Sequence, residues 1–263
     1  MKPLGDWPLT DRRALVGVLT DIDDTLTTEG AITPDALSAL AALSASGLPV
    51  MAVTGRPVGW SEPFARDWPV QAIVAENGAV ALVREPDGHL RKLYQQDAAT
   101  RDRNFRQLQS VARHIVQEVP GAQLAQDSAG RETDIAIDHS EFTQLPPERI
   151  EQVVTLMREA GLQATVSSIH INGWIGDHDK FSGARWIVRE LFDRNLEAEI
   201  TRWVYVGDST NDERMFARFP NAVGVANIRR FASVMTHLPA YVAEGERGAG
   251  FAQVTRAVLA ARD

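Results

Sequence analysis

The chain has 263 residues, 44% apolar and 24% charged, with a formal net charge of −8 and no cysteine. Such a length and composition suit one large or two smaller soluble globular domains. The acidic balance excludes a general nucleic-acid-binding surface, and the absence of cysteine excludes disulfides, thiolate chemistry and sulfur-built zinc sites. The apolar runs fall well short of the ~20 residues of a membrane helix. The opening MKPLGDWPLTDRR lacks an apolar core and a small-residue cleavage site, which reads as no signal peptide. The expectation is a cytoplasmic protein without membrane or nucleic-acid partners, its oligomeric state open.

Residues 14–20 (ALVGVLT) form a short apolar run suited to a strand covered on both faces. Thr33-Pro34-Asp35 starts a helix that Gly47 stops. LPVMAVT (48–54) is a second strand, a short helix follows over 58–67, and VQAIVAENG (70–78) is a third strand ending in a turn. This alternation predicts a parallel sheet with helices on its faces. It returns late, with a helix over 180–195, a strand over 201–208, a helix over 211–219, a strand over 221–227 and a closing helix over 250–262. Between the two sets the chain is more polar. Pro86-Asp87-Gly88 can turn a hairpin, and a long helix spans 98–118. Strands near 122–127 and 133–138, a helix over 147–160 and one strand over 162–172 follow. The predicted architecture is α/β: a Rossmann-like, doubly wound parallel core from 1–84 and 174–263, with an α+β cap, 85–173, inserted between.

In such a sheet ligands bind beyond the carboxyl ends of the strands. The residues there are Asp21, Asp23 and Asp24 after the first strand, then Thr54, Gly55 and Arg56 after the second. Glu76 and Asn77 follow the third, Asp208, Asn211 and Asp212 the late one, and Lys180 stands ahead of the late helix. Acids from separate strand ends, with waters, make a hard-oxygen site suited to Mg²⁺, which keeps them ionised and attracts phosphate oxygens. A carboxylate beside such a metal can attack phosphorus, and a second one two residues on can serve as acid and then base. Lys180, Thr54 and nearby backbone N–H groups can hold the phosphoryl oxygens.

Four motifs, DIDDT (21–25), VTGR (53–56), Lys180 and GDSTND (207–212), resemble those of the haloacid dehalogenase superfamily in order and spacing. AENGA (75–79) and the position of the insert are similar to subfamily IIB. That group holds sucrose-phosphate, mannosyl-phosphoglycerate and other sugar-phosphate phosphatases, and phosphomannomutases. The resemblance implies Asp21 as nucleophile and Asp23 as general acid/base. Thr54, Gly55, Lys180 and Asn211 would lie at the phosphoryl group. Mg²⁺ would be held by Asp21, the Asp23 backbone carbonyl and Asp208, with Asp212 and Asn211 completing or orienting the shell. Asp24 fills a variable slot without a catalytic role. Two residues keep two readings each: Arg56 contacts substrate or pairs with an acid, and Asn77 contacts ligand or serves its turn.

Alternation in VSSIHINGW puts Ser168, His170 and Asn172 on one face, and in TDIAID it puts Asp134 and Asp138 opposite Ile135 and Ile137. That polar face either reads a sugar leaving group, with His170 and Asn172 as its best candidates, or is simply solvated. The implied activity is hydrolysis of a small phosphorylated metabolite, of sugar-phosphate or phosphoglycerate type, through an aspartyl-phosphate. The alternatives are a phosphomutase with the same nucleophile and a catalytically silent binding module. A silent relative should lack part of the motif set, and here every part is present.

Overall fold

A computed structural model describes residues 1–85 and 87–262. Nine strands form the main sheet, in the order Lys2–Pro3, Tyr241–Val242, Asn221–Gly224, Trp203–Gly207, Gly17–Thr20, Val50–Val53, Ala72–Ala75, Val80–Arg84, Leu90–Tyr94. The first seven run parallel; the last two add an antiparallel hairpin at one edge. Alternate residues of each central strand feed two separate cores. Val18, Val50, Ala52, Val204 and Val206 pack on one side, Leu19, Met51, Val53, Trp203 and Tyr205 on the other. Burial of both faces explains why these strands read as unbroken apolar runs. The helices Val58–Asp67 and Ala98–Glu118 match their predicted bounds, and Pro34–Ala45 starts where Thr33-Pro34 places it. No helix among the described residues is long and apolar enough to cross a membrane.

A second, four-stranded antiparallel sheet carries Gln163–Val166, His170–Trp174, Asp134–Asp138 and Gln123–Leu124 in that order. The helices Ala98–Glu118 and Pro147–Glu159 cover one face through Leu108, Ile115, Val153 and Met157, which meet Ile135, Ile137 and Ile171. The opposite face, with Asp134, Asp138, His170 and Asn172, looks toward the main sheet.

Two expectations need correction. The strand expected over 162–172 is two strands that reverse at 167–169. The Ser167 side chain builds that turn, accepting from the backbone N–H of His170 and Ile169, so Ser168 is a turn residue and the alternation holds only from His170. The boundary expected at 85 falls inside a hairpin of the main sheet, because Leu90–Tyr94 pairs with Val80–Arg84. Arg91 and Lys92 make that strand look polar, as suits an edge strand guarded by charge. Gly88 takes the left-handed conformation of the expected turn (φ 86°); Pro86 lies outside the described residues. We propose that the insert runs from about residue 96 to about residue 175, where the chain leaves and re-enters the main sheet's layer.

One close approach positions the helix that begins at Lys180. Glu76, Asn77 and Gly78 all have positive φ, at 49°, 55° and 110°. Their tight turn lets Gly78 and Gly183 pack backbone against backbone. A Cβ on Gly183 would lie 2.5 Å from Gly78 Cα, and one on Gly78 would lie 2.3 Å from the Asp179 carbonyl oxygen. Gly183→Ala forces these two elements apart, with an expected loss of about 1–3 kcal/mol. Urea unfolding followed by circular dichroism measures this as a lower midpoint at unchanged slope.

Candidate active site

The residues named after each strand end do converge. Asp21 and Asp208 follow the adjacent strands Gly17–Thr20 and Trp203–Gly207, whose register is parallel, so their side chains leave the same rim. One carboxylate oxygen from each of Asp21, Asp208 and Asp212 lies within 4.8 Å of the other two, and all three residues are buried. Lys180 supplies the positive charge. Its Nζ donates to Asp21 Oδ1 and to Asp212 Oδ1, both at 2.7 Å, and the residue is only 4% exposed. It is the first residue of its helix, whose start is fixed by a capping box between Asp179 and Ser182.

Asp212 is fully engaged. Oδ1 takes Lys180 and the Tyr205 hydroxyl; Oδ2 takes the backbone N–H of Asp208 at 2.9 Å and of Ser209 at 3.3 Å. This places Asp212 as the brace of Lys180 and of the loop that carries Asp208. Asp208 is different. Its Oδ2 accepts from Asn227 Nδ2 at 3.0 Å, while Oδ1 is buried with no hydrogen-bond partner among the described residues. A bare carboxylate oxygen facing another acid is costly. Burial pushes the Asp208 carboxyl well up, and the nearby Asp212 and Asp21 charges push it the same way. Burial likewise lifts Asp21 to about 8, against the pull of Lys180. A small divalent cation fits this oxygen-only donor set, with Asp208 Oδ1 as its unused ligand.

Asp23 stands apart from the cluster. Both its oxygens accept from Arg56 Nε, at 3.0 and 3.1 Å. Burial raises its carboxyl above the usual range although Arg56 opposes this, which suits a group that must hold and release a proton. Thr54 is buried, and its Oγ1 accepts from the Arg56 backbone N–H at 3.0 Å, so the hydroxyl proton is free to donate. Asn77 is buried with its Nδ2 unpartnered among the described residues, and its Oδ1 would lie 3.2 Å from a Cβ placed on Gly55. Asn211 lines the same chamber as Asp21, Asp23, Gly55, Arg56, His170 and Asn172. That chamber holds about 10 Å³, room for about one water. The turn at 167–169 forms part of its wall.

Several insert residues that make this closure carry no signal in the sequence. Arg56 Nη1 and Nη2 donate to Asp127 Oδ2 at 3.0 Å and Glu141 Oε1 at 2.7 Å, partners 71 and 85 residues away. Of its two readings, the geometry supplies the pairing with acids. His170 Nε2 lies 2.8 Å from Glu141 Oε2. Asn172 Nδ2 donates to the Gly55 carbonyl at 3.2 Å, as does Arg131 Nη1 at 3.0 Å. Glu76, buried at the third strand's end, accepts from the N–H of Val58, Glu132 and Thr133 and from the Thr133 hydroxyl, so it ties the main sheet to the insert. Only its place in AENGA marked it in the sequence.

Residues 18–117 match the family of haloacid dehalogenase-like hydrolases. No curated protein matches the chain. Solved structures share the fold over nearly its whole length. The sucrose-phosphatase of Synechocystis, crystallised with sucrose and phosphate, is 16% identical with a TM-score of 0.66, covering 94% of this chain and 98% of its own. Protein 0175 of Thermoplasma acidophilum is 16% identical with a TM-score of 0.69, covering 93% and 99%. The C-terminal domain of the C. albicans trehalose-6-phosphate phosphatase is 15% identical with a TM-score of 0.64, covering 100% and 98%.

The buried cluster predicts a pH signature for metal-free protein. Asp21, raised from 3.8 to about 8 in the folded chain, binds its proton more tightly when folded. Its contribution is therefore full below pH 3.8 and is lost as pH rises toward 8. In chelator, Asp21→Asn should melt higher than the parent by roughly 5–10 °C at pH 8, with the gap closing toward pH 4. Differential scanning calorimetry across that range measures it; a gap that ignores pH contradicts the account.

Proposed function

On the premise of a haloacid dehalogenase-like hydrolase, we propose that the protein is an Mg²⁺-dependent phosphomonoesterase acting on a small phosphorylated metabolite, a sugar phosphate. The observation that carries this reading is Lys180 held between Asp21 and Asp212, with the free oxygen of Asp208 alongside. That is one cation and a metal-ready acid pair around one potential nucleophile. The structural neighbours whose names state a substrate act on sucrose phosphate and trehalose-6-phosphate, which supports the substrate class.

Asp21, Asp208 and the backbone carbonyl of Asp23 would hold Mg²⁺, and the ion when bound supplies charge neutralisation for the cluster and for the phosphoryl oxygens. Asp21 attacks phosphorus through its free oxygen, forming an aspartyl-phosphate as the bond to the ester oxygen breaks. Asp23, whose raised affinity for a proton keeps it armed, gives that proton to the leaving oxygen. The same carboxylate then takes a proton from water, which attacks phosphorus and restores Asp21. Lys180, the Thr54 hydroxyl, the Gly55 backbone and the amides of Asn77 and Asn211 hold the phosphoryl oxygens in both steps. Arg56 keeps the Asp23 carboxyl pointed inward. Asp212 holds Lys180 extended, so that its ammonium cannot withdraw to solvent.

Purified protein with Mg²⁺ should release inorganic phosphate from sugar phosphates, lose that activity in EDTA and regain it on adding Mg²⁺. Asp21→Asn should lower kcat by at least about 10³-fold while keeping the far-ultraviolet circular dichroism of the parent. Phosphate release by Asp21→Asn at the parent rate would overturn the assignment.

A further inference from the structure

Beside this small chamber lies an open cleft of about 420 Å³ that shares Asp23, Arg56, Ser168 and Ile169 with it. Its size is within the ~300–1,000 Å³ of small-molecule sites. Building on the phosphomonoesterase reading, we propose that this cleft seats the leaving group. We further propose that Glu141 makes it select an uncharged, hydroxyl-rich leaving group over one with a second anion.

Position comes first. The leaving oxygen must meet the proton on Asp23, so the group attached to it lies on the side where Asp23 opens outward. A larger cleft of about 620 Å³, with Arg158, Arg214 and Arg218 in its walls, is lined by neither Asp21 nor Asp23. An ester seated there would leave its oxygen out of reach of that proton.

Charge decides the class. Four acids line the open cleft, Asp23, Asp24, Glu29 and Glu141, against two arginines. Arg56 is spent on Asp23, Asp127 and Glu141, and Arg247 Nε lies 3.0 Å from Asp24 Oδ1. A second phosphate or a carboxylate on the substrate would meet more carboxylates than guanidinium groups, with Arg56 already engaged and Arg247 set against Asp24, and like charges at such range repel. Hydroxyl groups meet what they need, since carboxylates only accept hydrogen bonds.

Glu141 is held in place for this task. The Asp138 carboxylate accepts three consecutive backbone N–H groups, from Ser140 at 3.0 Å, Glu141 at 2.9 Å and Phe142 at 2.9 Å. That fixes the loop and aims Glu141 at Arg56 and His170. Burial works against its ionisation, yet the nearby His170 and the hydrogen bonds from Arg56 outweigh this and hold Glu141 at about 2, so it is anionic at neutral pH. Phe142, 64% exposed at the cleft's mouth, offers an apolar face to the C–H side of a sugar ring.

The test is a phosphate-release panel with Mg²⁺: glucose 6-phosphate and trehalose 6-phosphate against fructose 1,6-bisphosphate and 3-phosphoglycerate, with p-nitrophenyl phosphate as a generic ester. The best neutral substrate should exceed the anionic ones in kcat/KM by about 30-fold or more. Glu141→Gln removes the charge and keeps an acceptor, so it should narrow that ratio at least about tenfold. Equal or better turnover of the anionic esters overturns this inference while leaving the phosphomonoesterase reading intact. A ratio unchanged in a folded Glu141→Gln overturns the role of Glu141, and if that variant does not fold, the parent's panel decides alone. Failure to hydrolyse any ester, p-nitrophenyl phosphate included, overturns both readings.

Discussion

A single ammonium group between two carboxylates organises the centre of this molecule. Lys180 bridges Asp21 and Asp212 at 2.7 Å on each side, and each member comes from a different element of the chain. The pair spans 159 residues in one direction and 32 in the other. Without that cation the rim would hold three buried acids facing one another, a state the chain avoids only by taking up protons or a metal. The helix begun by Lys180, the turn Glu76–Gly78 that admits it and the Tyr205 hydroxyl beneath Asp212 all serve to keep this contact in register.

The same logic repeats one layer out. Arg56 is a guanidinium held among Asp23, Asp127 and Glu141, two of them from the insert, and Arg131 shares Asp127 with it. Its fork of five donors suits such a junction better than a lysine could. Through Arg56 the residue proposed to move the proton, the strand-end motif that carries Thr54, and the wall of the insert are parts of one network. The proposed substrate reading and proton transfer would therefore share a side chain.

Much of the main sheet was legible because both of its faces are covered, which leaves apolar runs that no solvated element imitates. The helices at 58–67 and 98–118 were legible because their polar and apolar positions alternate at the helical period. The acidic rim was legible because its residues follow strand ends within a few positions. The network around Arg56 was not, since Asp127 and Glu141 look like any loop acids until folding brings them over a core arginine. The turn at 167–169 was hidden for a different reason: two serines amid β-formers continue an alternating pattern, and only Ser167's bonds to the backbone reveal the reversal. The hairpin strand Leu90–Tyr94 was assigned to the insert because its charges protect an edge rather than face a neighbour.

A chamber with space for about one water cannot admit an ester from outside. The proposed hydrolysis would therefore have to unlatch the insert in each cycle, breaking the contacts of Arg56 with Asp127 and Glu141 and of Asn172 with the Gly55 carbonyl, and then remake them. Under the proposed mechanism the shut form would shield a phosphorylated aspartate from bulk solvent, and the rhythm of shutting and unshutting would cap throughput however fast the bond-making chemistry became.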